Sequence, residues 1–207
     1  IHSFLALLST LLIVDGHRSL PSGVTCSSQF FSPETALAIP NPKVSWASYR
    51  VFTCDEPIFW LEAEAEDVNQ PLAFTVNVPV IERFEDVRIS VAFLGPSLPA
   101  LPDDLEIPDE IRTYSMETGS GVVLFNSPQD QTTCNHLTAE LMIGESSVVD
   151  DRCLFYERFG GSNSWVVLDQ TIEVAEPGLY KIAVFVEGGT TAKASFACCD
   201  WPEDFIT

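Results

Sequence analysis

Wherever apolar residues recur regularly in this chain, they recur every second position, and no long segment repeats them every 3.6. A period of two puts successive side chains on opposite faces of an extended backbone, so the chain must build sheets. Phe59, Leu61, Ala63 and Ala65 alternate with Trp60, Glu62, Glu64 and Glu66, the pattern of a strand with one wet face. Leu72, Phe74, Val76 and Val78 alternate with Ala73, Thr75 and Asn77, and Val87, Ile89, Val91 and Phe93 alternate with Arg88, Ser90 and Ala92. Tyr180, Ile182, Val184 and Val186 share a face, and further strands are predicted over 122–125, 165–174 and 192–198. Turn sequences separate them: Asp67 to Pro71, Gly95-Pro96, Glu176-Pro177-Gly178 and Gly188-Gly189. Pro96, Pro99, Pro102 and Pro108 donate no ladder hydrogen bond, so 96–108 reads as a stiffened surface loop. About seven short strands so punctuated specify an all-β fold, an antiparallel β-sandwich of jelly-roll or Greek-key type with long loops.

The sandwich domain is expected over 51–207, with an insertion at about 126–153. Residues 17–50, punctuated by Pro21, Gly23, Pro33, Pro40 and Pro42, are expected to be an extended, loop-like segment. Ahead of them, Phe4 to Val14 is apolar apart from Ser9 and Thr10, which is too short to span a bilayer and has the length of a signal-peptide core. Residues 1–16 are read as that signal peptide, cut before His17. No other stretch approaches transmembrane length.

The chain carries thirty Asp and Glu against ten Lys and Arg, a formal net charge of −20. That field repels phosphate backbones and anionic lipid, which argues against nucleic acid and against docking on an acidic membrane. Cations, basic surfaces and neutral sugars stay compatible with it.

Six cysteines, Cys26, Cys54, Cys134, Cys153, Cys198 and Cys199, agree with export to an oxidising compartment. No Cys-x-x-Cys knuckle suggests zinc. Cys134 and Cys153 bracket one insertion, so they are expected to pair with each other. Cys26 and Cys54 are then expected to join one each of Cys198 and Cys199, on the argument that first and last strands lie close. The rival pairing is Cys26–Cys54 with a vicinal Cys198–Cys199 ring.

No catalytic constellation emerges. After leader cleavage the histidines are His17 and His136, and neither a Gly-x-Ser-x-Gly elbow nor a His-Glu-x-x-His zinc motif occurs. The best ligand candidate is calcium, which takes hard oxygens. Asp103, Asp104, Glu106, Asp109 and Glu110 offer them in or beside the proline-rich loop. Trp46, Trp60, Trp165 and Trp201 could stack on sugars if exposed, though such residues are more often core.

Two resemblances bear on the fold. Val174 to Val184, with its Glu176-Pro177-Gly178-Leu179-Tyr180 turn, resembles the last hairpin of pre-peptidase C-terminal domains and of several carbohydrate-binding jelly rolls. Over about residues 54–205 the chain resembles a group of uncharacterised secreted or membrane-anchored sandwich proteins. That likeness rests on Val78-Pro79-Val80-Ile81-Glu82-Arg83-Phe84, on Val91 to Pro99 and on Tyr156 to Trp165. The likeness implies a sandwich and export and brings no activity. The expectation is therefore a non-catalytic extracellular or cell-surface module that packs with other extracellular proteins in a surface layer, filament or matrix. The alternative is a module that binds calcium or carbohydrate.

Overall fold

A computed structural model describes residues 18–19, 32–42, 46–52, 57–68, 71–84, 86–127, 144–149, 152–157, 162–187 and 192–198. The strands are β1 (Arg18–Ser19), β2 (Leu37–Ile39), β3 (Trp46–Phe52), β4 (Ile58–Ala65), β5 (Leu72–Pro79) and β6 (Ile89–Gly95). After helix α1 (Asp109–Thr118) follow β7 (Gly121–Asn126), β8 (Gly144–Val149), β9 (Arg152–Glu157), β10 (Ser162–Ile172), β11 (Gly178–Val186) and β12 (Ala192–Cys198). The first sheet has the order β1-β3-β12-β5-β10-β9-β8, and the second β2-β4-β11-β6-β7. From β3 onward the chain crosses between the sheets at six of its nine connections. The order β3-β12-β5-β10 against β4-β11-β6-β7 is the two-Greek-key arrangement of a jelly roll. The β8–β9 hairpin widens the first sheet, while β1 and β2 run parallel to β3 and β4 and cover the remaining edges.

The period-two pattern explains the main core. Leu72, Phe74, Val76 and Val78 from β5 meet Phe59, Leu61 and Ala63 from β4, Val91 and Phe93 from β6, and Ile182 and Val184 from β11. The rings of Phe74 and Phe93 lie 5.0 Å apart, and Phe125 sits edge-on to Phe74 at 5.3 Å. Burying each such side chain contributes roughly 1.5–3 kcal/mol.

A second apolar cluster lies outside the sandwich. Ile58 and Trp60 of β4, Ala92 and Leu94 of β6, and Ala183 and Phe185 of β11 face away from the first sheet and pack under Ile111 of α1. Leu101 and Ile107 of the proline-rich loop and Tyr114 of α1 complete it. The helix starts directly after Pro108 with Asp109 and Glu110 in its first turn, where acids suit the positive end of the helix dipole. It ends at Gly119, whose φ of 68° and ψ of 18° are left-handed, a conformation that favours glycine.

Several expectations are corrected here. The Trp60 side of β4 is not a wet face: Trp60 is buried beneath α1, Glu62 is half-buried, and only Glu64 and Glu66 are exposed. The helix itself escaped the pattern search. The segment 17–50 is not loop throughout, since it supplies β1, β2 and most of β3. The Val174 to Val184 unit is not a hairpin: β10 pairs with β5 and β9, whereas β11 pairs with β4 and β6, so the turn arches from one sheet to the other.

The first and last long strands do lie side by side, with β3 antiparallel to β12. The pairing expected for Cys26 and Cys54 with Cys198 and Cys199 falls on residues outside the described ones. Phe52 stands opposite Ala192 and Trp46 opposite Cys198, so Phe52 and Cys198 are separated by ~20 Å along the strands. Cys26, Cys54, Cys134, Cys199, His17, His136 and Trp201 lie outside the described residues.

Candidate functional site

Two regions hold polar chemistry. The first is on the outward side of the second sheet, beside α1. β11 is apolar except for Lys181, which is flanked by Glu62 of β4 and Leu94 of β6. Lys181 is only 7% exposed. Its Nζ donates to the Pro33 carbonyl at 2.6 Å and to the Glu62 carboxylate. Pro33 opens a short 3-10 turn, Pro33–Thr35, that leads into β2. The ammonium therefore fastens the N-terminal segment to the sheet.

One step along the same face, Trp60 Nε1 donates to Glu110 Oε1 at 3.1 Å, and the Tyr114 ring lies 5.9 Å from Trp60. Desolvation raises the pKa of Glu110; the Trp60 hydrogen bond opposes the rise and the charge of Glu34 adds to it. Burial likewise raises Tyr114, helped by Glu34 and Glu62. Glu34, fully exposed, is lowered by hydrogen bonds from the Ser32 side chain and its own backbone, with a smaller contribution from Lys181. These groups are bonded chiefly to one another and to backbone, an arrangement suited to anchoring.

The five expected calcium ligands sit in this neighbourhood without converging. Asp103 and Asp104 occupy an exposed turn, Glu106 is exposed in the loop, and Asp109 and Glu110 belong to the first helical turn. Among the described residues, no three His, Cys, Asp or Glu side chains group to hold a metal ion. The loop is instead held by Arg112, whose guanidinium donates to the carbonyls of Leu105 and Pro102.

The second region is the outward face of the first sheet. β3, β12 and β5 place Tyr49, Ser195 and Asn77 in one cross-strand row. Tyr49 is 50% exposed and Val51, on the same face, 38%. Thr75 and Asn77 are half-buried, and the buried Asn77 side-chain oxygen has no hydrogen-bond partner among the described residues. Further along the face Cys153, Phe155 and Val166 form a small buried cluster. Of the tryptophans, Trp60 and Trp165 are buried and Trp46, half-buried, donates from Nε1 to the Asn41 carbonyl at 2.8 Å.

Neither Tyr49 nor Lys181 was singled out from the sequence. Lys181 had a readable signal, a lone cation inside an otherwise apolar strand predicted to pair. Tyr49 had none, because its strand fell in a segment read as loop. No protein-family model matches the chain. A search of curated proteins likewise finds no match.

Proposed function

We propose that the chain is a non-catalytic extracellular module that associates with other extracellular proteins through the outward face of its first sheet. The observation that carries this reading is the asymmetry between the two outward faces. That of the second sheet is packed beneath α1 and the proline-rich loop, whereas Tyr49 and Val51 present ring and aliphatic surface to solvent on the first. An aromatic with a polar tip is well suited to a surface that is wet alone and dry when paired. The row of Tyr49, Ser195 and Asn77 is itself uncharged in a chain of net charge −20, with Lys193 opposite Val51 and Asp169 opposite Thr75 beside it. Export is supported by the six cysteines, an even number suited to pairing in an oxidising compartment. We take all six cysteines to be paired.

The test is whether native material is found alone or in an assembly, by native mass and sizing, followed by cross-linking to locate the seam. Cross-links around Tyr49, and release of the chain from its assembly by Tyr49→Asp, are the expected results. A native protein that is monomeric with no partner would overturn the reading. The alternative is a ligand-binding module. Carbohydrate is favoured by the exposed Tyr49 ring, a surface on which a sugar can stack, and a glycan array tests it. A calcium titration followed by melting tests the acidic loop.

A further inference from the structure

The outer strand of a sheet carries unpaired main-chain groups, and natural proteins blunt such edges with short strands, charge or proline. β1 has two residues and β2 three, and they cover the edges at β3 and β4. β8 carries Glu145. The second sheet ends, on the side away from β2, at β7. β7 has six residues and none of these devices. No residue from Gly119 to Ser127 is charged or a proline, and neither is any residue of its neighbour β6. Val123, Leu124 and Phe125 are only half-buried, so each keeps apolar surface that a further strand would cover.

The hydrogen-bond parity of β7 identifies the free groups. Antiparallel partners alternate between pairs that exchange both main-chain bonds and pairs that exchange none. Ser127 N–H donates to the Ile89 carbonyl at 3.1 Å, so the odd-numbered residues of β7 bond to β6. Val122 N–H points the other way and donates to the Pro99 carbonyl at 2.8 Å. The proline-rich loop thus closes that end of the edge. It lies so tightly on Gly121 that a β-carbon there would overlap the Leu98 carbonyl. Leu124 has the parity of Val122, and among the described residues neither its N–H nor its C=O has a partner.

We propose that β7 pairs antiparallel with β7 of a second copy of this chain, about a two-fold axis at Leu124. In that register each Leu124 N–H donates to the Leu124 C=O of the other copy, so one arrangement satisfies both groups. Val123 of each copy stands opposite Phe125 of the other, and the pair covers what both leave exposed. The two second sheets join into one continuous sheet. Charge favours a second copy as the occupant. The strands β6-β7-β7-β6 at the seam carry no charge, so two chains of net charge −20 meet where neither places an acid. Their repulsion at longer range is screened within about 8 Å at physiological salt. The seam lies on the second sheet and is independent of the Tyr49 face on the first.

Sedimentation of the purified chain over a concentration series reads the association. A dimer that tightens as salt rises toward about 1 M is expected, because screening removes the repulsion. Leu124→Pro deletes the outward N–H without removing a β6–β7 bond, and proline is tolerated on an edge strand. Loss of both Leu124 hydrogen bonds is expected to weaken dimerisation by about tenfold or more. The Leu124 amide of the unaltered chain gives a second readout that needs no variant. Its hydrogen exchange should be fast in dilute monomer and slow in the dimer. A chain monomeric at every concentration and salt overturns the proposal, as does association that weakens with salt. A folded Leu124→Pro variant that dimerises as tightly as the parent overturns it too. So does a dimer in which the Leu124 amide stays fast, or a dilute monomer in which it is already slow, since the chain would then cover its own edge. Tyr49→Asp should leave this dimer intact, and its dissolution by that variant would put the seam on the first sheet instead.

Discussion

The ring of Tyr180 lies directly against the α-carbon of Gly95, on neighbouring strands of the second sheet. A β-carbon on Gly95 would fall 2.7 Å from Tyr180 Cε1 and closer still to Cδ1, so the position accepts no side chain unless the ring moves. The ring is held in turn by its hydroxyl, which donates to the Glu176 carbonyl at 2.8 Å, with the Pro96 carbonyl at 3.3 Å. Tyr180 thereby ties the arch between the sheets to the strand that receives it. Gly95→Ala is expected to cost about 1–3 kcal/mol by overpacking. Tyr180→Phe, which keeps the ring and removes the hydroxyl, is expected to cost about 1 kcal/mol. Urea melts of the two variants check both, and a Gly95→Ala protein as stable as the parent would mean the ring is free to shift.

The Lys181–Glu62 pair should respond asymmetrically to the loss of either partner. Glu62→Leu leaves an ammonium in a nearly buried site with one carbonyl acceptor, and a cost of roughly 3 kcal/mol is expected. Lys181→Met leaves a carboxylate whose side chain is 28% exposed and can turn to water, so about 1 kcal/mol is expected. A double-mutant cycle measures the coupling. Equal single costs would show that burial of the lysine contributes nothing special.

Glu110 should give stability a slope with pH. Its folded pKa is raised, mainly by desolvation, so the folded state holds the proton longer than the unfolded state does. The contribution is fully present below the ordinary value of 4.5 and is lost as pH rises through the raised folded value. Glu110→Gln keeps an oxygen for Trp60 Nε1 and removes the titration. Its stability relative to the parent is therefore expected to increase between pH 4 and pH 7, as read by melts at both. A constant difference across that range would remove Glu110 from the account.

Ile111 is the residue through which α1 grips the sheet, fully buried among Trp60, Leu94 and Phe185. Ile111→Ala is expected to cost about 2–5 kcal/mol, and it should raise amide exchange in Asp109–Thr118 before it does so in β5. Simultaneous loss of protection in both would show that helix and sandwich unfold as one unit.

The strands with a single partner layer on one face were the legible part of the fold. In β5 every second residue is buried, and the sequence shows it directly. β4 was half legible: its Phe59 face was correct, but the opposite face changes character along the strand, from Trp60 under a helix to Glu64 in water. Alternation alone cannot distinguish those. The helix was illegible because its few apolar residues make no stripe: Ile111 is buried, Tyr114 half-buried and Met116 exposed. The arch at Glu176 looked like a hairpin because the turn sequence records the reversal of the chain and not which sheet receives it. For the candidate site, Glu62 was read as part of a wet strand face and Glu110 as a calcium ligand, whereas their partners Lys181 and Trp60 are set by contacts between elements distant in sequence.

β12 lies between β3 and β5, in the middle of the first sheet, yet among the described strands it comes last in sequence. During synthesis at the ribosome, everything through β11 emerges while that slot is still vacant. β3 and β5 then each present an unpaired edge to their surroundings, and the Phe196 position in the main core is unfilled. Completion must wait for residues 192–198, and it demands contacts of very long sequence separation, which makes folding slow. The nascent protein thus passes through a stage with two open edges in the sheet that later carries its exposed face, so chaperoning matters most until residues 192–198 have emerged.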